Sequence, residues 1–432
     1  MDYFSYRKGW LFCEDSSVDE IASKYGTPCY IYSIRTILEH YRKIQQAFAF
    51  NVSSTICYSV KANSNLSILK LMEKEGAGFD VVSGGELFRV LKIGADPKRV
   101  VFAGVGKTDD EIRYGLKSNI LLFNVESEQE LWNINRIAEG EKKIAPVALR
   151  VNPDVDPHTH TYITTGKKEN KFGVDFEKAK QILNRIKELK NVKLLGLHIH
   201  IGSQIVEVEP YVRSVKKLIS FLPECEKYGC KIDYINIGGG FGIFYKDKLA
   251  KTAKEIADAL LPIIVETGCK LLLEPGRFIV GNAGILVTKV LYVKESGDKK
   301  FFICDAGMND LIRPILYNAY HKIWAINTDE TYNGESPDGD RWDGKTTLAD
   351  VVGPICESGD FFARERKMPF VERGDFLAVF SAGAYGYVMS SNYNSHPRPC
   401  EIMVSGNDVE LVTEKENYND LIDKEKMVDF DV

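Results

Sequence analysis

The sequence predicts an α/β chain in two parts, a parallel (β/α)8, TIM-like barrel followed by a second, C-terminal all-β domain. Three observations carry this expectation. Short β-branched runs alternate with amphipathic, helix-like stretches through the first two-thirds of the chain, and there are eight such runs. After about residue 283 the texture changes to short strands with turn signals and little helix between them. The length, 432 residues, also exceeds what one compact core organises. The expected boundaries place the barrel at 30–280 and the β-domain at 1–29 plus 281–432, although the first thirty residues taken alone fit either part.

In chain order the eight runs are TICYSV (55–60), FDVV (79–82), VVFAGV (100–105), ILLFNV (120–125), PVALRV (146–151), VKLLGLHIH (192–200), DYINIG (233–238) and CKLLLE (269–274). Helical candidates between them cover 65–76, 84–93, 127–139, 175–189, 209–228 and 250–267, with Ser83 and Asp109 read as N-cap residues. Eight apolar strands separated by helices match a closed barrel better than the alternative, an open doubly wound sheet. The second part contributes GILVTKVLYVKES, KFFICDAG, TLADVVG, DFLAVFSAG and EIMVSG as strands. The polar, turn-rich stretch 325–346 reads as an exposed excursion, and the composition of 158–174 suits a lid.

Composition narrows the function. A net charge of −5 provides no basic field to steer nucleic acid or an acidic membrane, so anionic ligands have to be held by local groups. The nine cysteines are scattered, odd in number and free of any CxxC pair, which is the usage of a reducing compartment rather than of a disulfide framework or a zinc site. The N-terminus MDYFSYRKGW lacks a signal-peptide core, and no apolar run approaches the roughly 18 residues that span a membrane. The expected location is the cytoplasm.

In such barrels the chemistry gathers at the carboxyl ends of the strands. Lys61 ends the first run, Asp80 and Ser83 flank the second, and Asn152 follows the fifth. The sixth carries His198 and His200, with Ser203 just beyond; the seventh runs into GGGFG (238–242) and the eighth into EPGR (274–277). Singly these are ordinary features: a strand-end lysine snorkels to solvent, and a glycine cluster makes a tight turn. Their coincidence on one face describes a ligand. A partly desolvated lysine forms a Schiff base with an aldehyde, backbone N–H groups of the glycines with the Ser203 hydroxyl hold a phosphate, Glu274 pairs with a protonated ring nitrogen, and an imidazole lies against a ring face. Pyridoxal 5'-phosphate has all of those parts.

At this point the chain resembles the fold-type III pyridoxal-phosphate decarboxylases, most closely the branch that acts on diaminopimelate. The resemblance runs through YSVKANSN, FDVVSGGEL, RVNPDVD, KFGV, HIHIGSQI, INIGGGFG, EPGRFIVGNAG, DAGMNDLIRPILYNAYH, VVGPICESGDFFA and GAYGYVMSSNYN. It implies a cofactor barrel, a β-domain that contributes substrate and interface residues, and a homodimer with shared active sites. Carried over residue by residue, it implies Lys61 as the Schiff-base lysine and His200 as the ring-stacking histidine. Asp80, Ser203, Gly238, Gly239, Gly240, Pro275, Gly276, Arg277 and Tyr385 fall at cofactor positions, and Glu274 at the pyridinium partner. Cys356 in CESGD falls at a proton donor supplied by the neighbouring subunit, and Arg277, Arg313, Tyr317, Glu357 and Tyr385 at substrate contacts.

The residues agree on the substrate. Relatives that make simple diamines meet a distal cation and need only an acidic pocket. Here LIRPILY offers Arg313 and Tyr317, a fork suited to a second carboxylate, while Glu357 suits a distal ammonium. Together these fit the distal amino-acid head of meso-2,6-diaminopimelate, whose decarboxylation gives L-lysine and carbon dioxide, the last step of lysine biosynthesis. Three other readings are weaker. A metal-dependent hydrolase built on HIH leaves EPGR and the triple glycine unexplained. A non-enzymatic pyridoxal-phosphate carrier would be a bare barrel, whereas this chain retains a β-domain, and an inactive homologue would have lost Lys61 or Cys356; a racemase needs proton donors on both ring faces but has no use for a second-carboxylate grip. Cys356 as a small buried hydrophobe is the bland alternative for that residue.

Overall fold

The computed structural model describes residues 2–156, 171–245, 250–328 and 346–430. The chain divides into two compact units, one comprising Met1–Ile37, Tyr245–Asp247 and Val280–Val432, the other Leu38–Phe244 and Lys248–Ile279. Within the described residues, no helix is long and apolar enough to cross a membrane.

The second unit is a closed barrel of eight parallel strands: β1 (Ser54–Ser59), β2 (Gly78–Val81), β3 (Val100–Phe102), β4 (Leu122–Val125), β5 (Ala145–Arg150), β6 (Val192–His198), β7 (Tyr234–Asn236) and β8 (Lys270–Leu273). They follow one another around the ring in chain order, with β8 pairing β1 to close it. Parallel neighbours require crossovers, and helices supply them: α1 (Leu66–Lys74), α2 (Gly84–Lys92), α3 (Asp109–Ser118), α4 (Glu128–Gly140), α5 (Phe176–Arg185), α6 (Glu209–Ile219), α7 (Leu222–Lys227) and α8 (Ala253–Val265). Cys57, Val101, Leu122, Ala148 and Leu272 fill part of the interior, so the barrel is a packed core with its chemistry confined to the strand ends.

Two local expectations change. Ser83 caps α2, its hydroxyl taking the Glu86 N–H at 3.2 Å. For α3 the cap is Thr108, not Asp109: Thr108 Oγ1 takes the Glu111 N–H at 3.2 Å while Glu111 Oε2 takes the Thr108 N–H at 2.9 Å. That reciprocal pair satisfies two N-terminal donors, leaving Asp109 free to bind Asn133 Nδ2 at 2.9 Å. The helix expected over 209–228 is also two helices, α6 and α7. Pro223, at the start of α7, has no N–H to continue a helical ladder, and the chain breaks at Ser220–Phe221.

The first unit is built on a nine-stranded mixed sheet. Along its path lie Phe361–Pro369, Thr346–Val352, Lys299–Cys304, Gly284–Ser296, Cys29–Ser33, Cys400–Ser405 and Asp408–Thr413, with Phe376–Val379 pairing Gly284–Ser296 and Ile323–Ala325 pairing Phe376–Val379. A smaller antiparallel sheet joins Phe4–Arg7, Trp10–Cys13 and Ser16–Ser17. Their core includes Leu11, Val18, Ile31, Ile285, Trp324, Phe380 and Ile402. Five of the nine strands in the larger sheet lie in the runs read as strands from the sequence. Cys29–Ser33, Ile323–Ala325, Phe361–Pro369 and Asp408–Thr413 do not, and Phe361–Pro369 is masked by the charged middle of FFARERKMP, where Arg364, Glu365 and Lys367 are exposed while the strand is buried toward both ends. Most of the 325–346 excursion and of the 158–174 segment, with His158 and His160, lies outside the described residues.

Candidate active site

Because the eight strands are parallel, their carboxyl ends share one face of the barrel. Lys61 sits in a single 3-10 turn, Val60–Ala62, directly after β1. Its Nζ is 2.7 Å from Asp80 Oδ2 on β2, and Asp80 is fully buried. The Ser59 hydroxyl lies 2.8 Å from both Asp80 Oδ2 and the Glu274 carbonyl oxygen, so it knits β1 to its two neighbours. Burial and the nearby Glu274 charge push the Asp80 carboxyl above its ordinary value, against the opposing pull of Lys61 and Ser59. An amine paired with so costly a carboxylate is a reactive arrangement rather than a surface ion pair.

Glu274 follows β8 and is buried at 5 % exposure. Asn124 Nδ2 donates to its Oε1 at 3.0 Å and Asn236 Nδ2 at 2.6 Å, and His198 Nε2 lies 3.3 Å from Oε2. Burial alone would raise this carboxyl, but the attraction of His198 and Lys61 outweighs it and holds Glu274 below the usual carboxylate range. The site therefore presents a buried carboxylate held in favour of its anion.

The two histidines of the HIH motif take different partners. His198 faces Glu274, whereas His200 Nδ1 accepts the Gly239 N–H at 3.2 Å. That bond requires an unprotonated Nδ1. Burial, followed by the positive charges of Arg150 and Lys61, pulls the His200 pKa well below its ordinary value, so the ring is neutral.

The glycine turn is forced by close approach. A Cβ at Gly239 would collide with the Glu274 carbonyl oxygen, and one at Gly240, where φ is +91°, with the Gly202 carbonyl oxygen. Its amides are not equivalent. The Gly238 N–H goes to Asn236 Oδ1 at 2.9 Å and the Gly239 N–H to His200, so only the Gly240 N–H has no internal acceptor among the described residues. Ser203 and Arg277 complete this corner, with Arg277 Nη2 3.1 Å from Ser203 Oγ. Pro275 and Gly276 carry the chain from Glu274 to Arg277, and a side chain at Gly276 would press on Ala62 and Ser59 beside Lys61. Asn152 is buried at the end of β5, where its N–H donates to the Val174 carbonyl.

The remaining candidates belong to the first unit. Arg313 and Tyr317 stand one turn apart on the short helix Arg313–Tyr317, and Arg313 is buried. Its guanidinium carbon lies 5.5 Å from the Tyr317 ring centroid, 5.7 Å from that of Tyr245 and 6.0 Å from that of Tyr385. Tyr385 holds φ at +56°, a conformation a bulky residue adopts only under constraint. Cys356 and Glu357 are on a different loop and are exposed. The Cys356 N–H donates to Asn394 Oδ1 at 2.7 Å, and Glu357 Oε2 lies 3.4 Å from the Tyr393 hydroxyl. Cys356 is thus not the buried hydrophobe of the bland alternative, which describes Cys13, Cys29, Cys57, Cys225, Cys304 and Cys400.

Reading the sequence alone passed over Asn124, Glu126, Arg150 and Asn236. Arg150 Nη1 pairs with Glu126 Oε1 at 2.8 Å, its Nη2 lies 3.4 Å from the His200 carbonyl, and Glu126 Oε2 takes the Gly173 N–H at 2.9 Å. The signal was present: each of the runs ILLFNV, PVALRV and DYINIG carries one strongly polar side chain near its carboxyl end, where an apolar residue would otherwise pack.

Residues 34–281 match the family described as the pyridoxal-dependent decarboxylase pyridoxal binding domain. A diaminopimelate decarboxylase from Aquifex aeolicus is 47% identical over 422 residues, covering 98% of this chain and 97% of that one. Its counterpart from Haemophilus influenzae is 43% identical over 422 residues, covering 98% of each. Among solved structures, diaminopimelate decarboxylase from M. jannaschii in complex with L-lysine superimposes with a TM-score of 0.91 at 38% identity, over 99% of this chain and 98% of that one. The chain belongs to the pyridoxal-dependent decarboxylases, in their diaminopimelate decarboxylase branch.

Proposed function

We propose that this chain decarboxylates meso-2,6-diaminopimelate to L-lysine and carbon dioxide with pyridoxal phosphate as cofactor, as its relatives' names indicate. The observation that carries the reading is the convergence, at one end of one barrel, of the Lys61–Asp80 pair, the ionised Glu274 and the glycine turn. The donor set fits the cofactor part by part. Lys61 offers the amine, Glu274 a partner for a ring N–H, and His200 a neutral ring. The Gly240 N–H, Ser203 hydroxyl and Arg277 guanidinium suit a phosphate. When bound, pyridoxal phosphate supplies the aldehyde to which amines attach and the electron sink for the broken Cα–carboxylate bond.

The chain's own groups do the rest. Asp80 holds the Lys61 ammonium at 2.7 Å and fixes where its nitrogen stands. Glu274, fixed as an anion, favours a positive charge opposite it and so stabilises developing negative charge on the reacting carbon. Arg313 and Tyr317 grip the distal carboxylate, Glu357 meets the distal ammonium, and the exposed Cys356 thiol returns a proton to Cα. The exposure of the Cys356–Glu357 loop supports a homodimer in which the partner subunit receives that loop.

The test is the absorbance spectrum of purified protein before and after meso-diaminopimelate, with carbon dioxide and lysine followed in parallel. A lysine-bound cofactor band that shifts as both products appear supports the reading; no band after added pyridoxal phosphate defeats it. Mixing Lys61→Ala with Cys356→Ala subunits, each inactive alone, tests the shared site. Recovery of roughly a quarter of full activity is expected for a two-fold dimer, and no recovery rejects sharing.

A further inference from the structure

Asn124, Asn236 and His198 come from β4, β7 and β6, and all three are at most 1 % exposed. Two amides and an imidazole in a barrel interior are costly to desolvate. Asn124 Oδ1 and both ring nitrogens of His198 have no well-formed hydrogen bond among the described residues, Nε2 standing 3.3 Å from Glu274 Oε2 as a close charge contact, so neither side chain is placed to satisfy all of its own polar atoms. What the three share is Glu274. Packing alone would be met more cheaply by apolar residues of similar volume.

We propose that Asn124, Asn236 and His198 are positioning residues that hold the Glu274 carboxylate ionised and aimed, with two amide donors on Oε1 and the His198 ring against Oε2. This rests on reading Glu274 as the partner of the cofactor's ring nitrogen. Asn236 has a second task. Its Nδ2 donates to Glu274 Oε1 at 2.6 Å, the Glu274 N–H donates to the Gly238 carbonyl at 2.8 Å, and the Gly238 N–H donates back to Asn236 Oδ1 at 2.9 Å. This closed ring of three bonds locks the carboxylate to the glycine turn. The groups that contact the two ends of the cofactor are thereby fixed relative to each other through one side chain.

The charged and titratable groups facing Glu274 are His198 and His200 from the β6 end, Lys61 after β1, the Cys57 thiol on β1 and Asp80 on β2. Lys61 and His198 favour the anion, Asp80 opposes it and His200 is neutral, so removing a neutral amide donor leaves that balance but weakens the anion. The acid limb of cofactor binding then moves to higher pH.

Asn236→Leu and Asn124→Leu are compared with the parent and with Glu274→Gln by cofactor titration of the apoprotein, the pH dependence of the cofactor absorbance, kcat and KM, and apoprotein melting. Asn236→Leu is expected to weaken cofactor binding and lower kcat by about 10- to 100-fold, the loss of one bond to a charged group. KM for diaminopimelate and the apoprotein melting temperature stay near parental values, and the acid limb rises by about one pH unit. Asn124→Leu gives the same pattern without disturbing the glycine turn, and it carries the test if Asn236→Leu does not fold. Parental cofactor affinity with an unshifted pH profile in the folded variants overturns the proposal. So does a loss of activity that tracks loss of apoprotein stability. If Glu274→Gln leaves spectrum and turnover unchanged, the reading of Glu274 itself falls, which is a separate result.

Discussion

Glu86 opens α2 beside the Lys61–Asp80 pair and is incompletely exposed. Its Oε2 accepts the Val82 N–H at 2.8 Å. Burial, only partly offset by that bond and by Lys61, raises its carboxyl from 4.5 to about 7. The folded state therefore holds this proton more tightly than the unfolded chain does. Stability from that difference is fully present below about pH 4.5, declines as pH rises toward 7, and is gone above it. At 1.36 kcal/mol per pH unit, the step from 4.5 to about 7 is roughly 3 kcal/mol. Glu86→Gln keeps an oxygen to accept the Val82 N–H and removes the ionisation. After the amide's own desolvation is allowed for, it is expected to stabilise the protein by about 1–3 kcal/mol at alkaline pH and by little at acid pH. Urea denaturation midpoints of parent and variant, measured at about pH 4.5 and about pH 8.5, give the answer. A variant equally stabilised at both, or less stable than the parent at the higher pH, would refute the reasoning.

Three further outcomes are expected. Gly240→Ala forces a side chain at φ +91° against the Gly202 carbonyl; it should cost about 2–4 kcal/mol and most of the cofactor affinity, and a parental titration curve would dismiss the close approach. Arg313→Lys replaces a planar fork with a point charge and should raise KM for diaminopimelate about tenfold or more while cofactor affinity holds; equal loss of both would make Arg313 structural. Lys107 Nζ, with 1% of its side chain exposed, bonds Glu130 Oε1 at 2.6 Å and the carbonyls of Gly104 and Asn124 at 2.8 Å, so Lys107→Met should destabilise by about 3–5 kcal/mol, with part recovered in a double variant with Glu130→Leu. No recovery in the double variant would mean that the lysine stem, not the stranded charge, carries the effect.

Much of this molecule is legible in one dimension. The barrel is, because each strand is a short apolar run and each crossover an amphipathic helix, and both periodicities are local properties of consecutive residues. The candidate residues on the barrel are legible for a related reason: in a parallel barrel the carboxyl end of every strand faces the same way, so the polar residue that ends an apolar run is already assigned to one face. Lys61, Asp80, Glu274 and the pair His198 and His200 are candidates by that rule, while the choice of His200 within the pair comes from the resemblance.

Other features depend on closure. Phe361–Pro369 does not look like a strand until its exposed, charged middle is seen between two buried stretches, and Thr108 displaces Asp109 as a cap only because Glu111 can reach back to it. The sequence displays three glycines as equivalent phosphate donors, whereas folding commits Gly238 to Asn236 and Gly239 to His200 and leaves Gly240. The largest gap concerns Glu274. Its donors Asn124 and Asn236 lie 150 and 38 positions away, and nothing in either one's neighbourhood names the other. A strand's period says which face a side chain occupies. Only the ring of eight strands, closing β8 onto β1, sets which side chains from opposite walls come within hydrogen-bonding distance of one carboxylate, and so whether it stays charged.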